Sequence, residues 1–258
     1  MENIKQELID HTLVLTINRE KQLNALNKTT ILELSQALDA AAENSEVKAI
    51  VITGAGEKAF VAGADIKEFA HFSVEEGASL SAQGQDLLFN KVEQMNKPVI
   101  AAVRGYALGG GLELAMSAHV RVASTDAKLG LPEVGLGVIP GNGGTQRLAQ
   151  LVGKGKAMEM IVTADMIDAQ DAYQWGLVNH VVEAEQVLEK AMAIAKRTQR
   201  NSPIAINAAM KAVLANYTDG VNGYEAEIAA FGECFGTEDF KEGTSAFMEK
   251  RKAQFPGK

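Results

Sequence analysis

The sequence predicts an α/β fold that gives way to helix over about its last hundred residues. Short apolar runs in the first half, such as Leu13 to Ile17 (LVLTI) and Pro98 to Val103 (PVIAAV), lack alternation between apolar and polar residues. That is the pattern of strands buried on both faces, typical of a parallel sheet. Amphipathic stretches separate the runs, as helices separate the strands of such a sheet. Beyond Gly155 the composition turns to alanine and methionine at helical spacing.

Taken in order, Leu13 to Ile17 is the first strand. Thr30 to Glu43 carries Ile31, Leu34, Leu38 and Ala42 at helical spacing, with Asn27, Lys28 and Thr29 as candidates for its cap. Ala49 to Ile52 (AIVI), closed by Thr53 and Gly54, is the next strand; Pro98 to Val103 and Val120 to Ala123 follow. Further helices are expected at Ala157 to Val162, Val187 to Arg200, Pro203 to Leu214 and Tyr224 to Phe235. Phe231, Phe235, Phe240 and Phe247 belong either to a surface that packs on another subunit or to core within the chain. There is no low-complexity segment and no repeat of fixed period.

Composition removes several function classes. The 25 basic against 33 acidic residues leave a net charge of −8, a poor field for a nucleic-acid backbone, so no nucleic-acid partner is expected. Phosphates of a small ligand are still within reach of backbone N–H groups and a few lysines. No apolar run approaches the roughly 18 residues a membrane span needs. The single Cys234 excludes an intrachain disulfide framework, and MENIKQEL has neither a basic nor an apolar leader segment, so a cytoplasmic protein is expected. Gly135, Gly137 and Gly141 are wrongly spaced for a dinucleotide fingerprint, and neither a phosphate-binding P-loop nor a G-x-S-x-G elbow occurs. His11, His71, His119 and His180 are scattered without metal-ligand spacing and read as surface or helix-end residues, so no metal is expected.

What remains is chemistry built from carboxylates and backbone amides. Of the 24 glycines, 12 fall between Gly105 and Gly155. Three segments carry the possibility. In AFVAGADIKEF (Ala59 to Phe69), the small residues Ala62, Gly63 and Ala64 let backbone approach a ligand, or else form a tight turn capped by Asp65. In VRGYALGGGLELAM (Val103 to Met116), a strand runs through three glycines into an apolar helix holding one acid, Glu113. Such a helix start exposes N–H groups to an anion. An acid there also stabilises the helix through its dipole, but apolar neighbours on every side imply burial, which needs a reason. In LGLPEVGLGVIPGNGGTQRL (Leu129 to Leu148), Glu133 sits in a glycine-rich apolar loop, as a solvated cap or as a second proton carrier, before a helix at Thr145.

These segments, in this order, resemble the crotonase (enoyl-CoA hydratase) superfamily, together with Lys21 to Leu26 (KQLNAL), KPVIAAVRGYALGGGLELAM and the C-terminal SAFMEKRKAQF. The resemblance covers nearly the whole chain. It implies a crotonase spiral of ββα units over residues 1–195 and a helical C-terminal trimerisation region over 196–258, assembled as a homotrimer or a dimer of trimers. It implies that the N–H groups of Ala64 and Gly110 form an oxyanion hole for a thioester carbonyl, and that Glu113 and Glu133 are the two catalytic glutamates. Coenzyme A, as part of the substrate and with no separate cofactor, would lie along Gln22, Leu23, Ala25, Ala62, Asp65, Ile66 and Lys67, with Phe247 and Lys250 reaching a ligand in a neighbouring subunit. The implied reaction is reversible hydration of a short-chain trans-2-enoyl-CoA in fatty-acid β-oxidation or butyryl-CoA metabolism, with Glu113 accepting a proton from water and Glu133 giving one to C2. Alternatives are 3,2-enoyl-CoA isomerisation, a noncatalytic RNA-associated homologue, or a scaffold that binds acyl-CoA without turnover. Two departures stand out: His119 where many relatives carry Asp, and Asn142 in place of the alanine of GAGGTQ, both expected near the active-site wall.

Overall fold

The computed structural model describes residues 1–258. Its strands are β1 (Ile4–Ile9), β2 (Thr12–Ile17), β3 (Ala49–Gly54), β4 (Ala59–Val61), β5 (Val99–Val103), β6 (Tyr106–Leu108), β7 (Val120–Ser124), β8 (Lys128–Gly130), β9 (Ile167–Asp168) and β10 (His180–Val182). Its helices are α1 (Lys28–Glu43), α2 (Val74–Gly84), α3 (Asn90–Glu93), α4 (Gly110–Ser117), α5 (Gly144–Thr163), α6 (Ala169–Gln174), α7 (Val187–Thr198), α8 (Pro203–Ala215), α9 (Gly223–Cys234) and α10 (Glu238–Met248). No helix is long and apolar enough to cross a membrane.

A six-stranded sheet has the order β1-β2-β3-β5-β7-β10, and a smaller one the order β4-β6-β8-β9. Only the edge strands β1 and β9 are antiparallel to their neighbours. From β3 to β8 the chain lays one strand in the large sheet and the next in the small one, and a helical stretch follows each pair. These are ββα turns of a spiral, the α/β crotonase architecture. The turns begin at Ala49, Val99 and Val120 and so differ more than twofold in length, which is why no fixed period shows in the sequence.

The missing alternation has a direct cause. Leu13, Leu15 and Ile17 of β2, with Ile50, Ile52, Val99 and Ala101, face one large core. The intervening Val14, Ala49, Val51, Ile100 and Ala102 face a second, roofed by Val187, Ala191 and Ala195 of α7. Each of the valine, leucine and isoleucine side chains contributes about 1.5–3 kcal/mol by leaving water, so both faces must stay apolar. The α1 helix starts where Asn27 accepts from the Thr30 N–H at 2.9 Å, and it buries Leu34, Ala37, Leu38 and Ala41.

Ala195 is the last α7 residue buried against the sheet. Beyond it, α8 packs chiefly on α9. Of the aromatic residues there, Tyr224, Phe231, Phe235 and Phe247 are 81%, 68%, 50% and 85% exposed, whereas Phe240 is half-buried with its ring against Phe235. The expected helix at Ala157 to Val162 is the second half of α5, whose chain kinks at Gly153.

Candidate active site

The small sheet assembles the site. Strands β4, β6 and β8 are adjacent and parallel, with Val61 opposite Ala107 and Leu108 opposite Gly130, so their carboxyl ends come level. The three segments singled out above leave those ends side by side: Ala62 to Asp65 after β4, Gly109 and α4 after β6, and Leu131 with the 3-10 turn Pro132–Leu136 after β8. In open α/β sheets this crevice is where ligands bind.

The first loop is fastened to the chain before α1. Leu26 donates to the Gly63 carbonyl at 2.8 Å, Asp65 N–H to the Leu26 carbonyl at 2.7 Å, and Ala62 N–H to the Leu23 carbonyl at 3.0 Å. Arg19 ties the two together, bonding the Ala25 carbonyl and the Asp65 carboxylate. The carboxylate of Asp65 therefore pairs with Arg19, and it makes no cap to the turn that follows. Ala64 is left exposed, and its N–H donates to nothing within the chain. Gly110, first residue of α4, has an N–H without an intrahelical acceptor, and a methyl placed on it would lie 3.7 Å from the Ala64 nitrogen. Two donors without acceptors in the chain thus lie near each other beside the positive end of a buried helix. Gly109 makes the turn at φ 51 and ψ −125, a conformation open to glycine alone.

Glu113 lies in the first turn of α4, a helix whose every residue is buried, and is itself 1% exposed. Its Oε1 accepts from the backbone N–H groups of Asn142 at 2.8 Å and Gly144 at 2.9 Å, and its Oε2 accepts from Asn142 Nδ2 at 3.2 Å. Burial raises its pKa, while these donors and the Arg147 charge pull it back. Gly144 allows the approach, because a methyl there would fall 2.7 Å from Glu113 Oε1.

Glu133 differs in kind. Its Oε2 is buried with no hydrogen-bond partner. Burial, with a further push from the Glu113 charge, lifts its pKa to about 7. Of the apolar residues of its loop, Leu131 is fully buried, whereas Leu136 is 62% exposed. Gly109 makes room again, since a methyl on it would come within 2.9 Å of Glu133 Oε1. One acid is clamped and the other is free, side by side.

The clamp has its own support. Arg147, on α5, donates to the Asn142 carbonyl through Nη1 at 3.0 Å and binds Glu93 and Asn90 of α3. None of Arg147, Glu93 and Asn90 stood out in the sequence, where 54 residues separate Glu93 from Arg147. His119 stands just past the end of α4, half-buried, and makes no hydrogen bond to Glu113 or Glu133. Its Nδ1 accepts from the Val99 N–H at 2.8 Å and its Nε2 faces the Glu93 carbonyl at 3.0 Å, which sets a neutral ring with the proton on Nε2. Burial lowers its pKa further. Asn142, by contrast, is in the site and touches Glu113.

Gln22, Leu23, Ile66 and Lys67 are exposed around the Ala64 loop, and Ala25, Ala62 and Asp65 are half-buried beside them. Phe247 and Lys250 lie at the end of α10, exposed, with no hydrogen bond or ion pair to the residues around Glu113.

Comparison with known proteins adds three findings. The family described as Enoyl-CoA hydratase/isomerase matches residues 9–258. Among curated proteins, the crotonyl-CoA hydratase of Syntrophomonas wolfei is 48% identical over 258 residues, covering 100% of this chain and 99% of its own. The short-chain-enoyl-CoA hydratase of Clostridium acetobutylicum is 46% identical over 257 residues, covering 98% and 97%. Among solved structures, the enoyl-CoA hydratase of Bacillus anthracis superposes with a TM-score of 0.93 at 40% identity, covering 99% of this chain and 100% of that one.

Proposed function

The chain belongs to the enoyl-CoA hydratase/isomerase family and is an enzyme of the hydro-lyase kind, and on that premise we propose that it adds water, reversibly and syn, to short-chain trans-2-enoyl-CoA to give 3-hydroxyacyl-CoA. The observation that carries this reading is the unlike pair of acids: Glu113 held by three donors, Glu133 with a buried oxygen that has no partner. A hydratase needs one of each, a base for water and an acid for carbon.

The thioester carbonyl accepts the N–H groups of Ala64 and Gly110. As water adds at C3, electron density moves to the thioester oxygen, and these two amides, with the start of α4, stabilise the enolate-like charge. Donors to the ionised form offset part of the upward push of burial on Glu113, and as the carboxylate it takes the proton from water. Glu133, still protonated close to neutrality, delivers its proton to C2. One turnover leaves Glu113 protonated and Glu133 ionised; exchange with solvent restores both. Coenzyme A runs along Gln22, Leu23 and Ala25 and over Ala62, Asp65, Ile66 and Lys67. The exposed aromatic surface of α9 and α10 is covered by other subunits of a trimer or a dimer of trimers, where Phe247 and Lys250 reach a neighbour's ligand. The enzyme serves short-chain fatty-acid breakdown or butyryl-CoA metabolism in the cytoplasm.

Hydration of crotonyl-CoA, followed by loss of the ultraviolet absorbance of its conjugated thioester, tests the reading. The protein should turn it over, and Glu113→Gln and Glu133→Gln should each lower kcat by roughly 10²- to 10⁴-fold. Near-normal hydration by Glu113→Gln overturns the assignment of roles. A protein that shifts the double bond of a 3-enoyl-CoA but adds no water is an isomerase instead.

A further inference from the structure

An ionised carboxylate offers about four lone-pair positions. At Glu113 three are taken: two on Oε1 by the N–H groups of Asn142 and Gly144, one on Oε2 by the side-chain amide of Asn142. One lone pair, on Oε2, is left for a proton. The backbone donors alone hold Oε1 and permit the group to rock about that anchor. Asn142 Nδ2 is the only protein donor on Oε2, and it fixes the direction in which the remaining lone pair points.

The far side of that amide is shaped for it. A methyl added at Gly84 would lie 2.4 Å from Asn142 Oδ1. Gly84 has ordinary helical angles, φ −58 and ψ −50, so its backbone makes no use of glycine's freedom, and a glycine inside a helix weakens it. Space for Asn142 is what its missing side chain supplies. The same stretch holds the loop from below: Ser81 Oγ donates to the Gly141 carbonyl at 2.5 Å, and Gln85 Nε2 donates to it at 2.9 Å.

We propose that Asn142 is a positioning residue for the reaction, leaving Glu113 a single aimed lone pair, and that Gly84 is glycine in order to admit the Asn142 side chain in that orientation. This rests on the hydratase reading given above. The charged groups facing Glu113 from the elements packed on α4 are Arg147 of α5 and Glu133. Glu93 of α3 is turned to Arg147, Arg121 of β7 to carbonyls at the far end of α4, and Asp86 to the pocket with Asp39 and Lys91.

Three variants test it: Asn142→Ala, Gly84→Ala and the two combined. The atom that a Gly84 methyl would strike is the end of a side chain free to rotate, so Gly84→Ala should fold, with a melting temperature no lower than the parent's, yet swing Asn142 off Glu113. Each single variant should lower kcat for crotonyl-CoA by roughly ten- to a hundredfold, with KM within about twofold. The acid limb of the pH profile should move to higher pH, because a donor to the ionised form is gone. The double variant should be no worse than either single one, since all three lose the same bond. Parent-like kcat and pH profile in Asn142→Ala overturn the proposal, as do losses that multiply in the double variant. Titration of the Glu113 carboxyl by carbon NMR needs no turnover: a midpoint unchanged between parent and Asn142→Ala overturns the proposal even if the parent fails to hydrate crotonyl-CoA, the result that overturns the hydratase reading instead.

Discussion

Arg147 grips Glu93 at two points, Nε to Oε1 at 2.9 Å and Nη2 to Oε2 at 2.7 Å, while its third nitrogen holds the Asn142 carbonyl. The pair therefore fastens α3 to α5 directly behind the clamp on Glu113. Both side chains are largely withdrawn from water, at 7% and 28% exposure. Replacing Arg147 by Met removes one partner of a mostly buried pair, and the cost should sit near the lower end of about 3–5 kcal/mol, measured by urea unfolding. Arg147→Lys should recover only part of this, because an ammonium does not reproduce the two-point contact.

The pH dependence follows from Glu133. In the proposed reaction Glu133 gives its proton to carbon, so kcat/KM should fall as pH rises through about 7. Stability should move the same way. The folded carboxyl holds its proton up to about 7, whereas the unfolded one releases it at the ordinary carboxylate value. Between those limits the folded chain binds more proton, and stability is lost as pH rises through that window. Unfolding of the parent and of Glu133→Gln at pH 5 and pH 8 checks the sign: the variant should gain on the parent at the higher pH.

Two neighbouring glycines should separate fold from chemistry. A methyl at Gly111 would come within 2.0 Å of the Val61 carbonyl oxygen, a backbone atom of β4. Gly111→Ala should therefore destabilise by more than about 3 kcal/mol or abolish soluble protein. At Gly110 the nearest atoms, 3.7 and 3.8 Å away, are at ordinary contact distance. Gly110→Ala should keep its melting temperature but place a methyl beside the two free N–H groups, lowering kcat/KM by roughly 10²- to 10³-fold.

Assembly is checked on α9. Tyr224, Ile228 and Phe231, 81%, 71% and 68% exposed on the single chain, recur at helical spacing and form one apolar face. Sedimentation should find the parent larger than a monomer, and changing all three to Ser should shift it toward the monomer.

Much of this was legible in the sequence, and the limits are physical. The strands β2, β3, β5 and β7 announce themselves because both faces of the large sheet are dry, and Asn27 marks the start of α1. The strands β4, β6 and β8 do not, being three residues each and defined by their pairing partners. Glu113 was visible as an acid among apolar neighbours, and Glu133 as an acid among glycines. The clamp on Glu113 was not: Asn142 in a glycine loop looks like any turn residue, and Gly84 like a weak spot in a helix. Their meaning arises only when α2, α4 and the loop before α5 come together. His119 is legible as a helix-end residue, but its partners, Val99 and Glu93, come from other parts of the chain and are not.

In both sheets the spatial order of the strands is also their order of synthesis. No strand is inserted between two made before it; each is added to the edge left open by the previous strand of its sheet. A chain emerging from the ribosome at about 5–20 residues per second can thus complete each layer as it appears, exposing only one growing edge at a time. β10 closes the large sheet last, and the Ala64 loop, the start of α4, Glu113 and Glu133 have by then already been made.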